Sequence, residues 1–302
     1  MSEILDLKRK TRSGRDRFGE SVDFEFEKKG RKRKFGLVSW IIVMVVAVAL
    51  TTAGIKASDS LFNGKAKSNS LCPSDMVFVP GSTGGFCLDK YEASAGSGCS
   101  IKDPASQDET RSNLENASCQ PASQPGTIPW RYISQNQAAV ACAKVGKRLP
   151  TNEEWLAGAL ATPDKASNWG ADDCQVSNNW SQQPGPTGSG KNCVSGVGAY
   201  DMIGNVWEWV EGTVEDGKYQ GNALPDDGYI KGVNSLAMPS ETNPDQADPN
   251  YYNDYLWIKK TGSRGISRGG YWANNADAGA YSVYLVTPPS SVGPGTGFRC
   301  AK

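Results

Sequence analysis

The chain has 302 residues, 32 Lys+Arg against 32 Asp+Glu, 38% hydrophobic residues, eight cysteines and no histidine. Without an imidazole, Ser-His-Asp and Cys-His catalysis, mixed Cys/His zinc sites and histidine pH switches are excluded. The zero net charge conceals an asymmetry: residues 1–35 hold 12 Lys/Arg and 7 Asp/Glu, leaving 20 and 25 for the remainder, so the two parts carry about +5 and −5.

Residues 1–34 are polar and charged, the composition of a cytoplasmic basic tail with no packed core. Phe35 to Ile55 is 21 residues without a charge, which as a helix would span about 31 Å, the thickness of a bilayer core. This predicts a single transmembrane helix. The Lys/Arg cluster from Lys28 to Lys34 places the N-terminus in the cytoplasm and everything after Lys56 in an extracytoplasmic position. A cleaved signal peptide is the rival reading, but it calls for a short n-region and a small-residue cleavage site, and neither is evident. Abutting the apolar span, the basic cluster is explained by topology and anionic lipid rather than by nucleic acid. Residues 56–71 form a linker with a reach of about 22 Å. From Cys72 to Lys302 the composition is that of a folded domain large enough for a substantial core.

All eight cysteines (72, 87, 99, 119, 142, 174, 193 and 300) follow the apolar span, as expected for disulfides in an oxidising compartment. No C-x2-C pair suggests a metal cluster. Ser134 to Gln137 is a capping box ahead of an alanine-rich helix, and Thr151 to Glu154 is a second, opening a helix that must end before Pro163. Short β-like runs such as 76–79 and 206–210, separated by Gly, Pro, Asn and Asp, predict an irregular α+β domain. Residues 211–264 read as loop, yet carry Tyr251, Tyr252, Tyr255 and Trp257, which suit core packing or a ligand groove. The paired carboxylates Glu153/Glu154 and Asp226/Asp227 read as solvated faces or caps.

Several blocks in order are Met76 to Gly81, Leu88 to Glu92, Gly146 to Thr151 running into Trp155, Tyr200 to Trp209, Arg268 to Trp272, and Gly297 to Cys300. Together they resemble the formylglycine-generating enzyme or sulfatase-modifying-factor family, whose fold is a variant of the C-type lectin. The resemblance implies that the family's copper-binding cysteine pair falls on Asn274 and Gly279, neither of which supplies a thiolate. No copper and no oxidase chemistry are therefore expected. It also implies a structural calcium ion held by the Asp201 and Glu208 side chains with the carbonyls of Gly204 and Val206, an oxygen set suited to a hard cation. The family's long-range bridge maps onto Cys142 and Cys300. For the other six cysteines, proximity alone suggests Cys72–Cys87, Cys99–Cys119 and Cys174–Cys193.

The C-terminal stretch 268–302 further resembles the variable region of diversity-generating retroelement proteins, in which adenine mutagenesis lets AAC codons encode many residues but never Lys, Glu, Gln, Met or Trp. Those five types make up 57 of 302 residues, yet none occurs in the 24 from Ala273 to Thr296, a gap that chance gives roughly once in a hundred windows. The resemblance places a variable region at about 271–296, framed by Gly279, Leu285 and Pro289. The exposed ligand-binding face is expected at Ala273, Asn274, Asp277, Tyr284 and Val286, continuing through Thr287, Ser291, Gly293, Pro294 and Gly295. The expected protein is a membrane-anchored, receptor- or adhesin-like surface binder. Its partner is a protein or glycan ligand on another cell, phage or host surface. The alternative is an extracytoplasmic enzyme, or enzyme-accessory subunit, of the same family.

Overall fold

The computed structural model describes residues 71–81 and 84–302. The basic tail, the apolar span at 35–55 and the linker up to residue 70 lie outside the described residues. Among the described residues no helix is long and apolar enough to cross a membrane.

Two short sheets and three helices flank one large sheet. The first hairpin pairs β1 (Met76–Val79) with β2 (Phe86–Asp89), and a second antiparallel pair joins β3 (Ala93–Ala95) to β4 (Pro121–Ser123). Between them lies α1 (Gln107–Glu115), capped by Ser106, whose side chain accepts from Glu109 N–H. Sequence reading missed α1 because its buried positions, Thr110 and Asn113, are polar and leave no apolar periodicity. They are satisfied internally: Asn113 exchanges two hydrogen bonds with the Ile101 backbone, and Thr110 accepts from Trp130 Nε1.

The two expected helices are present as α2 (Gln135–Ala143) and α3 (Asn152–Ala159), each with a complete capping box. Small buried residues on α2, Ala138, Ala141 and Cys142, let it lie close to the chain at Val210 and Gly212, whose carbonyls accept from Gln135 Nε2. On α3, Trp155 and Ala159 are fully buried, and Gly158 sits against Leu88 where any Cβ would clash.

Nine strands make the main sheet. Its spine is β5 (Trp207–Glu215), which pairs antiparallel with β11 (Ser263–Arg268) and parallel with β13 (Thr296–Phe298). Beyond β11 come β12 (Val283–Leu285) and β10 (Tyr255–Ile258), which run parallel, then β8 (Gly228–Val233) and β9 (Pro239–Asn243). On the other side of β5 lie β6 (Lys218–Tyr219) and β7 (Asn222–Ala223). The stretch read as loop thus supplies the end of β5, all of β6 to β10 and the start of β11. These strands are short and rich in Gly, Asn and charge, and they alternate too briefly to register as a period-two pattern. The fold is a mixed α+β, sheet-dominated, C-type-lectin-like domain.

Four disulfides join Cys72 to Cys87, Cys99 to Cys119, Cys142 to Cys300 and Cys174 to Cys193. Cys142–Cys300 spans 158 residues and ties α2 to the chain just after β13, so its constraint on the unfolded chain is the largest of the four. Replacing both cysteines by serine should cost about 3–5 kcal/mol in urea unfolding. The Cys72/Cys87 double variant, which closes a separation of 15 residues, should lose less. Equal losses would show that the C-terminal segment is held by other contacts.

Candidate functional site

Beside the long bridge, the C-terminal segment is held by a buried ion pair. Arg299 and Glu208 are 0% and 1% exposed, and the guanidinium meets the carboxylate through Nε and Nη2, each at 2.6 Å. Trp155 Nε1 donates to the same carboxylate at 2.6 Å. The remaining Arg299 donor positions reach the carbonyls of Asp89 and Tyr200. Burial alone would lower the Arg299 pKa, but Glu208, aided by Glu92 and Asp201, raises it, so the guanidinium stays charged.

The same geometry surrounds the expected calcium set. Both Glu208 oxygens are already engaged by Arg299 and Trp155, and a cation placed there would face a guanidinium. Asp201 Oδ2 accepts from Gly188 N–H, while Oδ1 is buried without a partner. Burial pushes the Asp201 pKa up to about 7, so a proton suits this carboxyl. Val206 is held through its N–H by Glu92 Oε1, and Gly204 through its N–H by the Gly269 carbonyl. Among the described residues no group of three or more His, Cys, Asp or Glu is placed to hold a metal ion, whereas the expected set is two carboxylates with two backbone carbonyls.

The segment expected to vary begins where Gly269 and Gly270, with φ of 90° and 91°, turn the chain out of β11 in a conformation that strains L side chains. It then passes through a single 3₁₀ turn at Asn275–Asp277, forms β12 and returns along an irregular loop to β13. A cleft of about 430 Å³ opens along this path. Seven of the ten expected face residues line it: Asn274, Tyr284, Thr287, Ser291, Gly293, Pro294 and Gly295. Three do not, namely Ala273, Asp277 and Val286, which are half-buried elsewhere. Gly295 is not exposed; it is buried, and a Cβ there would meet the Tyr271 ring at 2.7 Å.

The rest of the lining comes from other parts of the chain. Trp207 and Trp209 of β5, Trp257 of β10 and Tyr271 supply aromatic surface. Tyr284 sits directly across from Trp257 in the β10–β12 ladder, and Trp207 lies 5.5 Å from both rings, edge-on to Trp257 and tilted to Tyr284. Of the aromatic residues suggested for a groove, Trp257 lines this cleft, Tyr255 stacks beside it at 4.8 Å, and Tyr251 packs on Tyr281. Trp207 and Trp209 line the cleft without being among the expected face residues, because β5 borders it through pairing with β13, which lies far along the chain.

The frame residues behave differently. Leu285 is fully buried, Pro289 is half-buried, and Gly279 packs so tightly on the Asp254 carboxylate that any Cβ would collide with it. Asp254 Oδ2 accepts from Tyr281 N–H, and the Asp254 and Asp164 carboxyls share a side-chain hydrogen bond. Burial, then the charge of Asp164, pushes the Asp254 pKa up, and burial pushes Asp164 to about 7.

Residues 76–302 match the family described as "Sulfatase-modifying factor enzyme 1-like domain", and the chain belongs to that family. It is 37% identical over 96 residues to a Bos taurus protein named "Inactive C-alpha-formylglycine-generating enzyme 2", a match covering 27% of this chain and 32% of that one. The chain thus spans about a third of that curated relative's length. Among solved structures it is similar to the Major Tropism Determinant P3c variant, with 17% identity, 76% of this chain and 53% of that chain covered, and a TM-score of 0.39. It is also similar to Treponema denticola variable protein 1, with 15% identity, 76% and 99% covered, and a TM-score of 0.37.

Two outcomes follow from the buried charges. Arg299→Met leaves Glu208 unpaired in the interior and should cost about 3–5 kcal/mol, more than the Arg299→Met/Glu208→Gln double variant. A melting temperature that EDTA lowers in the wild type but not in an Asp201→Ala/Glu208→Ala variant would support the calcium expectation. Asp164 and Asp201 take up protons on folding between about pH 4 and their folded values of about 7. Stability is therefore fully present below that window and is lost as pH rises through it. Melting should fall from about pH 4 to 7, and Asp254→Asn should flatten the fall by removing Asp254's own raised carboxyl. A slope unchanged in the variant would remove the Asp164–Asp254 pair from the account.

Proposed function

We propose that this chain is a membrane-anchored, extracytoplasmic ligand-binding protein whose C-terminal cleft is a diversified recognition face. One observation carries the reading: the stretch lacking Lys, Glu, Gln, Met and Trp contributes seven of the ten expected residues to a single cleft, while its frame residues Leu285 and Gly279 are buried. Changeable side chains on an irregular loop, backed by a nine-stranded sheet, follow the logic of loop-borne recognition on a rigid scaffold. The anchor rests on the uncharged span at 35–55 and its basic flank, and the disulfides suit an oxidising compartment.

A binder rather than an oxidase is supported at the positions of the family's cysteine pair. Asn274 spends its side-chain oxygen on Tyr271 N–H, and Gly279 has no room for a thiol beside Asp254. The named inactivity of the bovine relative agrees with this direction.

The test replaces Thr287, Ser291, Gly293 and Pro294 together. Their side chains make no hydrogen bond among the described residues, so each change should alter stability by no more than about 0.5 kcal/mol. Binding to a panel of cell-surface proteins and glycans should change partner or vanish, with melting nearly unmoved. Unchanged binding would place the ligand site elsewhere, and a collapse of melting would make these residues part of the core.

A further inference from the structure

The cleft's chemistry narrows its ligand. No Lys, Arg, Asp or Glu lines it, so a charged ligand would be desolvated there without a counter-charge. One side is aromatic, made by Trp207, Trp257, Tyr271 and Tyr284. The other carries short hydroxyl side chains, Thr287, Ser291 and Thr296. Among the described residues none of these hydroxyls or phenols has a hydrogen-bond partner, and neither do the Trp207 and Trp257 indole N–H groups. None is sealed in the interior as an orphan either. Trp207 is only 6% exposed, so its free N–H belongs to a side chain otherwise packed away.

Building on the proposed recognition role, we infer that the cleft takes a neutral glycan segment, stacked on the aromatic side and hydrogen-bonded on the other, with no metal ion. A sugar ring offers an apolar C–H face and hydroxyls that both donate and accept, matching the two sides. The rival, a proline-rich peptide, is also neutral and suits aromatic grooves, but its carbonyls only accept, which leaves hydroxyl acceptors opposite the aromatic side unused. A volume of about 430 Å³ falls in the range for small ligands rather than flat protein interfaces.

The experiment titrates the full chain, in a sugar-free detergent and EDTA, with neutral gluco-, galacto-, manno- and N-acetylglucosamine oligosaccharides, following tryptophan emission. Sialylated oligosaccharides and decaproline are run in parallel. At least one neutral series should bind saturably at or below about 10 mM, with sialylated forms no tighter. Trp257→Ala should weaken it about tenfold or more. The Thr287→Val/Ser291→Ala variant, which disturbs no internal hydrogen bond, should also weaken it and keeps the test valid if Trp257→Ala misfolds. Decaproline binding without any neutral glycan, or no binding across the neutral panel, overturns the glycan inference but leaves the cleft as a recognition site. Glycan binding indifferent to all cleft variants overturns both this inference and the recognition role of the cleft.

Discussion

The buried pair between Glu208 and Arg299 is the constraint on which the rest of the domain is arranged. Two charges withdrawn from water are costly, and the cost is offset only when every donor and acceptor is met. Here that requirement recruits Trp155 from α3, the Asp89 carbonyl at the end of β2 and the Tyr200 carbonyl beside β5. Satisfying one guanidinium thereby fixes a helix, the first hairpin and the central strand relative to the C-terminal strand. Neighbouring contacts reinforce the arrangement: Asp89 Oδ2 accepts from Cys300 N–H, its Oδ1 meets Lys147, and Cys300 is bonded to Cys142.

That anchoring explains how a glycine- and proline-rich segment is held in place. The segment expected to vary leaves β11 after Arg268 and enters β13 at Thr296, so both ends are strands paired to β5. Between them β12 inserts beside β10 and pins Leu285 in the core. Only the side chains between these fixed points are free to vary without changing the frame, and they border a sheet whose tryptophans come from outside the segment. In the proposed reading, recognition would combine the tryptophans of β5 and β10 with positions on the segment itself, Tyr271 and Tyr284 among them.

Legibility in the sequence varied with the range of the interaction. The capping boxes at Ser134 and Thr151 were readable because N-cap and N3 lie three residues apart, and the compositional gap from Ala273 to Thr296 was visible because it is contiguous. The helix capped by Ser106 was hidden because its buried face is made of Thr110 and Asn113, whose partners lie in separate loops. The Asp201 and Glu208 carboxylates looked like a cation pair on one loop, but Glu208 had a partner 91 residues away that no local pattern reveals.

By itself, then, the sequence determined the family blocks, the two strongest helix starts, the stretch bearing the candidate site and the exclusion of imidazole chemistry, since each depends on composition or on short, ordered motifs. Only the tertiary structure decided that Trp207 and Trp257 face Tyr284, that Gly295 is buried beneath Tyr271 while Ala273, Asp277 and Val286 lie off the cleft, and that Glu208 belongs to Arg299. Those outcomes depend on which strands become neighbours: β5 meets β13 across the whole variable segment, and β10 meets β12 in parallel. Pairings of that kind are set by the packing of the complete core, so no window of sequence contains them.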